Sequence, residues 1–367
     1  MITKISQHKL MDENRRLCIK EYNEGNIRLN SRPFSLVMLI TTRCNISCIM
    51  CGWQNSHAQL PYEAAEKISG LLSTLESLNW QGGEVFLVDY FQEFFVRIAD
   101  QFPHVNQSIS TNGLFIDKNW AKILARANLF ITFSIDSTNK ETYEYIRKGA
   151  RFEDLIKGID NLNEAIEKNN NGNVNKVIFV VVMKSNYRDL LSFIDFAKKY
   201  RFSRIQFVQK FGSLPAEDIF EPRDPEAMDY LKKLFPQIEE EAKKSGISVS
   251  HPFGYLFSSD SQKSAANKSD ILNPQLNQLL KCGCPWYKLT VLPTGEIKPD
   301  CICQRAVGNI LKDDLIEAWN SPAMQLYRQK IISNDMRDFC APACLDGTYL
   351  SLYINPLFKN NLQNDAR

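Results

Sequence analysis

The sequence lacks the features of a membrane, secreted or nucleic-acid-binding protein. Its longest apolar runs, such as residues 177–183, are too short to span a bilayer, and the N-terminus has no apolar core of a signal peptide. There is almost no excess charge, because 44 basic and 42 acidic residues give a formal net charge of +2. Binding driven by phosphate neutralisation needs a basic surplus. We therefore expect a soluble cytoplasmic protein that binds neither a membrane nor a nucleic acid.

Cysteine is plentiful and unevenly placed. Of the ten cysteines, three lie within residues 44–51, six lie within residues 282–344, and only Cys18 stands alone. Disulfide frameworks suit short secreted domains, whereas this chain has 367 residues and no export signal. The clustered thiols therefore indicate metal or iron–sulfur ligation.

Strand and helix patterns alternate between residues 35 and 244. Apolar runs such as 35–40 read as buried strands, and apolar residues at helical spacing follow them, most clearly in 152–166. Repeated strand–helix units require a parallel sheet with right-handed crossovers. About six units fit, fewer than the eight of a closed barrel, so we expect an α/β fold with a partial (β/α)6 TIM-like barrel or an open sheet.

Changes in composition divide the chain into five regions. Residues 1–33 form an N-terminal extension, 34–250 the α/β core, 251–281 a polar linker, 282–350 a small second domain, and 351–367 a tail. In the second domain, Pro293-Thr294-Gly295 between two short apolar segments predicts a β-hairpin, and the residues after Leu315 predict a helix.

The first cysteine group is Cys44, Cys48 and Cys51, directly after the first predicted strand. Thiolates favour iron–sulfur clusters or zinc. Three cysteines leave one iron of a cubane without a protein ligand, whereas structural zinc usually takes four ligands. The spacing favours a cluster with an open iron, and a zinc site or three unrelated buried thiols are the alternatives.

The cysteine loop and several later motifs resemble those of the radical S-adenosylmethionine (SAM) superfamily. Gly82-Gly83-Glu84 is similar to that family's GGE motif after the second strand, and Thr111-Asn112-Gly113 to its third-strand turn. Residues 133–136 followed by 145–149 resemble a common strand-and-helix pair of these enzymes, and residues 182–186 resemble the end of their fifth strand. The resemblance implies a [4Fe–4S] cluster whose open iron binds SAM. Reductive cleavage then gives a 5′-deoxyadenosyl radical, which abstracts hydrogen from a substrate carbon.

The resemblance also implies which residues contact SAM. Gly82 and Gly83 would let the backbone approach the methionine moiety, and Glu84 would bind its ammonium group. Arg147 would hold the carboxylate, while Ser134 and Asn186 are candidates for the carboxylate or ribose. Ordinary surface positions are the alternative interpretation of Arg147 and Asn186.

The second cysteine group resembles the SPASM/twitch extension, which binds auxiliary [4Fe–4S] clusters. Six thiols are too few for two fully ligated cubanes, so the resemblance implies one auxiliary cluster, on Cys284, Cys301, Cys340 and Cys344. This assignment leaves Cys282 and Cys303 without a role. Their alternatives are to act as substitute ligands, to belong to an incomplete second cluster, or to be buried thiols. A four-cysteine zinc ribbon is the alternative for this region.

The leading functional hypothesis is a radical SAM oxidoreductase that receives electrons from a flavodoxin or ferredoxin. Residues 1–33 are too short for a leader-peptide-binding domain, which favours a small polar metabolite, such as a sugar or aminocyclitol, over a peptide. A ribosomal peptide maturase remains an alternative, with Cys18, Cys282 and Cys303 as possible hydrogen donors. A metal-binding scaffold or redox sensor without turnover is the other alternative. The four scattered histidines show no ligand spacing.

Overall fold

The computed structural model describes residues 4–53, 56–169, 173–209, 215–256, 282–341 and 344. Most of the predicted linker and all of the predicted tail lie outside these residues, so the proposed domain boundaries stay predictions. Within the described part of the chain, no helix is long and apolar enough to cross a membrane.

The described strands form one large sheet and one small ribbon. Ten strands are hydrogen-bonded in the order β12-β11-β10-β1-β3-β4-β5-β7-β8-β9, and β2 pairs with β6. The strands are β1 (Ser35–Thr41), β2 (Ser47–Cys48), β3 (Ser77–Gly82), β4 (Asn106–Thr111), β5 (Leu129–Ser134), β6 (Arg147–Lys148), β7 (Val174–Val182), β8 (Arg204–Gln209), β9 (Ser248–Ser250), β10 (Lys288–Val291), β11 (Glu296–Lys298) and β12 (Gly308–Asn309).

The predicted α/β architecture is confirmed. Strands β1, β3, β4, β5, β7 and β8 are neighbours in that order and all parallel, which gives the six expected units. Helices occupy the crossovers and also precede the first strand and follow the last one in the described residues. They are α1 (Lys4–Asn23), α2 (Tyr62–Glu66), α3 (Phe91–Gln101), α4 (Lys118–Leu124), α5 (Lys140–Ile146), α6 (Phe152–Asn169), α7 (Ser192–Tyr200), α8 (Pro225–Lys244), α9 (Cys284–Tyr287), α10 (Leu315–Trp319) and α11 (Pro322–Ile332).

The predicted C-terminal hairpin is present, but it also extends the main sheet. β10 and β11 pair antiparallel around a turn in which Gly295 has φ +87°, and β10 lies parallel to β1. Six of the seven β1 residues are buried, so its outer edge needs a hydrogen-bonding partner. β10 supplies one, and its Leu289 and Val291 are fully buried beside it.

The N-terminal extension packs against the C-terminal region. The thiol of Cys18 on α1 donates to the Trp286 carbonyl at 2.6 Å, and the Trp319 indole donates to the Ser31 carbonyl at 2.8 Å. Arg328 is fully buried and donates to the carbonyls of Pro285, Ile27 and Trp319. One guanidinium thus joins three segments that are distant in sequence.

A glycine in α6 allows the helix to approach the turn after β4. A Cβ at Gly158 would lie 2.3 Å from the Gly113 carbonyl oxygen, closer than atoms can pack. Alanine normally stabilises a helix by about 1 kcal/mol relative to glycine. In Gly158→Ala, this gain in helix propensity is opposed by the steric clash. The clash is with backbone and cannot be relieved by a rotamer change.

We predict that Gly158→Ala lowers the free energy of unfolding by about 1–3 kcal/mol. Urea unfolding of the metal-free protein followed by circular dichroism measures the change. Gly70→Ala is the matched control, because nothing lies within 4 Å of a Cβ at that position, and it should be neutral or slightly stabilising. A Gly158→Ala protein as stable as the wild type would contradict this packing.

Candidate functional site

The three-cysteine loop is held at the carboxyl end of β1. Its central residues form β2, which pairs with β6 so that Cys48 lies opposite Arg147. The Ile49 amide donates to the Ile146 carbonyl at 2.9 Å, and Ile49, Ile146 and Met183 form a small apolar cluster. Backbone pairing and apolar burial therefore fix the loop against the segment that follows α5.

The glycine pair after β3 packs against the backbone that leads into the cysteine loop. The Gly83 amide donates to the Thr41 carbonyl at 2.7 Å, and the Glu84 amide donates to the Arg43 carbonyl at 2.8 Å. A Cβ at Gly82 would lie 2.1 Å from the Thr41 oxygen, and one at Gly83 would lie 2.2 Å from the Arg43 oxygen. Gly82 also has φ +147°. These positions need glycine for the approach of two protein segments, in addition to any approach of a ligand.

The three thiols open onto one cavity of about 450 Å³. Four more of the residues implied by the family resemblance lie in its wall, namely Gly82, Gly83, Ser134 and Arg147. Glu84 and Asn186 are not among the described residues that line it. Most of the residues that the resemblance implies for SAM binding therefore surround one cavity. A cavity of this size is suited to a small organic cofactor.

Glu84 is fully buried beneath this cavity. Its carboxylate accepts from the Thr111 hydroxyl at 2.9 Å and from the Asn112 amide at 2.9 Å. Burial raises its pKa to about 7, although the Asn112 and Thr111 hydrogen bonds lower it in part. Glu84 therefore ties the end of β3 to the turn after β4, and its contact with an ammonium group stays a prediction.

Arg147 is a buried cation between a carboxylate and a cysteine. Its Nη2 lies 2.7 Å from Asp136 Oδ2, and its Nη1 lies 3.7 Å from Cys48 Sγ. Its Nε is buried without a hydrogen-bond partner in the part of the chain that the structure describes. Burial alone would lower the pKa of Arg147, but Asp136 and Cys48 raise it, so the guanidinium stays charged.

The thiols of Cys44 and Cys48 are protonated at neutral pH in the absence of a metal. Burial raises the pKa of Cys48 to about 11, while Arg147 lowers it in part. Burial also raises the pKa of Cys44, whose Sγ lies 3.8 Å from the Asn112 side-chain amide. Metal or cluster binding must therefore release protons from these groups.

Asn186 is buried and forms hydrogen bonds with two strand ends near the cavity. Its amide group donates to the carbonyls of Asp136 and Val181, and its Oδ1 accepts from the Met183 amide at 2.8 Å. These bonds connect the ends of β5 and β7. Its predicted contact with a ligand stays a prediction.

Sequence reasoning missed the side chains of Asn112, Asp136 and His57. Asn112 and His57 line the cavity, and Asp136 pairs with Arg147. Asn112 and Asp136 follow the ends of parallel strands, which is a signal that could have singled them out. No sequence spacing connects His57 to the cysteines.

The second cysteine group surrounds the base of the hairpin. Asp300 is buried, and its Oδ2 lies 2.5 Å from Lys288 Nζ and 3.9 Å from Cys284 Sγ. Cys301 donates to the other oxygen of Asp300 at 3.2 Å. Burial would raise the pKa of Asp300, but Lys288 outweighs it, so the pKa is lowered and the carboxylate stays ionised.

Cys18, Cys282 and Cys303 are the candidate hydrogen donors of a peptide maturase. Cys18 is fully buried on α1, where its thiol contacts the Trp286 carbonyl, and burial raises its pKa to about 12. Cys282 and Cys303 lie with the second cysteine group. None of the three is among the described residues that line the cavity, so the geometry does not support this role.

The donor chemistry of both groups fits iron–sulfur clusters. Across the described ranges, no three Cys, His, Asp or Glu side chains converge in the way that one metal ion requires. A cubane does not require such convergence, because each cysteine binds a different iron. A mononuclear zinc site needs four ligands directed at one point.

Comparisons with known proteins agree with this arrangement. Residues 38–197 match the family model described as the radical SAM superfamily, and residues 282–345 match the iron–sulfur cluster-binding domain. The antilisterial bacteriocin subtilosin biosynthesis protein AlbA of Bacillus subtilis is 25% identical over 342 residues. That alignment covers 84% of this chain and 65% of AlbA, so the chain spans slightly less than two thirds of that relative.

Two further similarities cover different shares of the chain. A probable GTP 3′,8-cyclase of Methanococcus maripaludis is 28% identical over 59% of this chain and 68% of its own length. The crystal structure of Streptococcus suis SuiB bound to precursor peptide SuiA has a TM-score of 0.65 at 16% identity, covering 95% of this chain and 80% of that one. From the two family matches, residues 38–197 form a radical SAM domain and residues 282–345 a C-terminal iron–sulfur cluster-binding domain.

Proposed function

We propose that the chain is a radical SAM enzyme that modifies a peptide, with its catalytic [4Fe–4S] cluster on Cys44, Cys48 and Cys51. The observation that carries this proposal is the arrangement of three thiols, a glycine pair and a buried guanidinium around one cavity. When bound, the cluster and SAM supply the reductive cleavage that yields a 5′-deoxyadenosyl radical for hydrogen abstraction.

The cavity residues would bind and orient SAM. Gly82 and Gly83 present backbone without side chains, and Ser134 offers a hydroxyl from the end of β5. Arg147 lines the cavity while Asp136 fixes its guanidinium, so its charge can attract a carboxylate there. Glu84 and Asn186 would support these contacts by holding the neighbouring strand ends together.

A peptide substrate is favoured over the small polar metabolite expected from the sequence. AlbA, a bacteriocin biosynthesis protein, aligns with 84% of this chain, whereas the GTP 3′,8-cyclase aligns with 59%. The longer alignment necessarily includes part of the C-terminal region. Specifically, we propose that the chain is a ribosomal peptide maturase that receives electrons from a flavodoxin or ferredoxin.

The first prediction of the proposed function concerns the catalytic cluster. After anaerobic reconstitution, the wild type should hold about eight irons per chain and the Cys44→Ala/Cys48→Ala/Cys51→Ala variant about four. With dithionite and SAM, 5′-deoxyadenosine should form with the wild type and not with the triple variant, as measured by mass spectrometry. Cys18→Ala is the control and should keep both properties. Zinc in place of iron, or 5′-deoxyadenosine from the triple variant, would refute the assignment.

The second prediction concerns the substrate. Co-expression with the short open reading frames that neighbour the gene should give a peptide whose mass changes when the three loop cysteines are intact. The same peptide should stay unmodified with the triple variant. The peptide proposal fails if every such peptide is unchanged and sugars or aminocyclitols stimulate 5′-deoxyadenosine formation instead. The hypothesis of a small polar metabolite as substrate then replaces it.

The third prediction concerns Glu84. Folding raises its pKa from 4.5 to about 7, so the protonated form is favoured in the folded state. Its stabilising contribution is therefore present below pH 4.5 and is lost as the pH rises through 7. Relative to Glu84→Gln, the wild-type free energy of unfolding should fall by an amount on the order of 2–3 kcal/mol between pH 4.5 and 8.

Urea unfolding of the metal-free proteins at several pH values tests this difference. Glu63→Gln is the matched control, because Glu63 lies exposed on α2 and should show no comparable pH-dependent difference. A difference between the wild type and Glu84→Gln that is constant with pH would show that folding does not raise the pKa of Glu84.

A further inference from the structure

The segment after the C-terminal hairpin carries two cysteines two residues apart, Cys301 and Cys303. The family resemblance implied Cys301 as the ligand of the auxiliary cluster. We propose that Cys303, and not Cys301, is the ligand that this segment contributes. The proposal rests on the proposed function, because it presumes that the C-terminal domain binds a cluster.

Backbone contacts place Cys303 beside Cys340. The Gln304 amide donates to the Phe339 carbonyl at 3.0 Å, and the Gln304 side chain donates to the Cys340 carbonyl at 3.1 Å. The Tyr327 hydroxyl donates to the carbonyls of both Arg305 and Phe339. The two segments therefore run side by side at the position where their cysteines face the interior.

Burial separates the two candidates. Cys303 is 8% exposed and Cys340 is 6% exposed, while Cys301 is exposed to solvent. Two buried thiols on adjacent segments are suited to two irons of the same cubane.

The buried ion pair of Asp300 and Lys288 lies between Cys301 and Cys284. Cys301 Sγ contacts Asp300 Oδ1, whereas Cys284 Sγ and Lys288 Nζ contact Oδ2 of the same carboxylate. For Cys301 to join Cys284 on a cluster, Asp300 would have to move and leave Lys288 unpaired in a buried site. Uncompensated buried charge is costly, so this rearrangement is disfavoured.

The test compares Cys303→Ala with Cys301→Ala in the full chain. Both are made in the Cys44→Ala/Cys48→Ala/Cys51→Ala background, so that only the auxiliary cluster contributes to the signal. After anaerobic reconstitution, iron and sulfide are counted and the dithionite-reduced protein is examined by electron paramagnetic resonance. Cys284→Ala serves as the positive control for ligand loss.

We expect Cys301→Ala to keep about four irons and an unchanged spectrum. Cys303→Ala should lose iron or show an altered spectrum, and Cys303→Ser should behave in the same way. Thermal unfolding of the metal-free variants checks that iron loss does not follow from misfolding, and the serine variant preserves the size of the buried side chain.

Either of two results would overturn the proposal: a changed iron content or spectrum in Cys301→Ala, or an unchanged content and spectrum in both Cys303 variants. Neither result affects the assignment of the catalytic cluster, because 5′-deoxyadenosine formation is measured separately in the chain with its three loop cysteines intact. If the background variant binds zinc and no iron, the auxiliary cluster itself is refuted, and this proposal fails with it.

Discussion

The site depends on the close approach of the Gly82–Gly83 backbone to the residues that follow β1. At this point two peptide segments pack where no Cβ fits, and two amide-to-carbonyl bonds join them. Any larger residue would separate β3 from the start of the cysteine loop by at least the width of a methyl group. The position of Cys44 relative to the end of β3 therefore depends on the absence of two side chains.

The buried charges around the cavity follow from that packing. Because the strand ends are drawn together, Glu84, Asp136 and Arg147 lie out of contact with water, and each must be satisfied by a neighbouring element. Glu84 connects β3 to the turn after β4, while Asp136 and Arg147 connect the end of β5 to the cysteine loop. The same low dielectric keeps the unliganded thiol of Cys48 protonated, so cluster assembly is coupled to its deprotonation.

The parts of this structure that periodicity and local motifs encode could be predicted from the sequence. The six parallel strands and the hairpin at Gly295 follow from apolar runs and turn residues, and the loop cysteines meet Gly82 because parallel strands end at one edge. Long-range pairings could not be predicted in the same way. Nothing local to Arg147 indicates Asp136 as its partner, and nothing local to Cys303 indicates that it is buried while Cys301 is exposed. Both facts depend on tertiary packing of segments far apart in the chain.

The sheet also sets the relation between the two thiol groups. Cys44 follows the carboxyl end of β1, whereas Lys288, at the start of β10, lies beside Ser35 at the amino end. Seven residues of strand separate these ends by roughly 20 Å. None of the described cavity-lining residues comes from the C-terminal domain. An auxiliary cluster at the amino end would therefore not share the SAM-binding wall. Its influence on the reaction would have to pass through the interior of the sheet by electron transfer, or through a substrate long enough to extend from one end of β1 to the other.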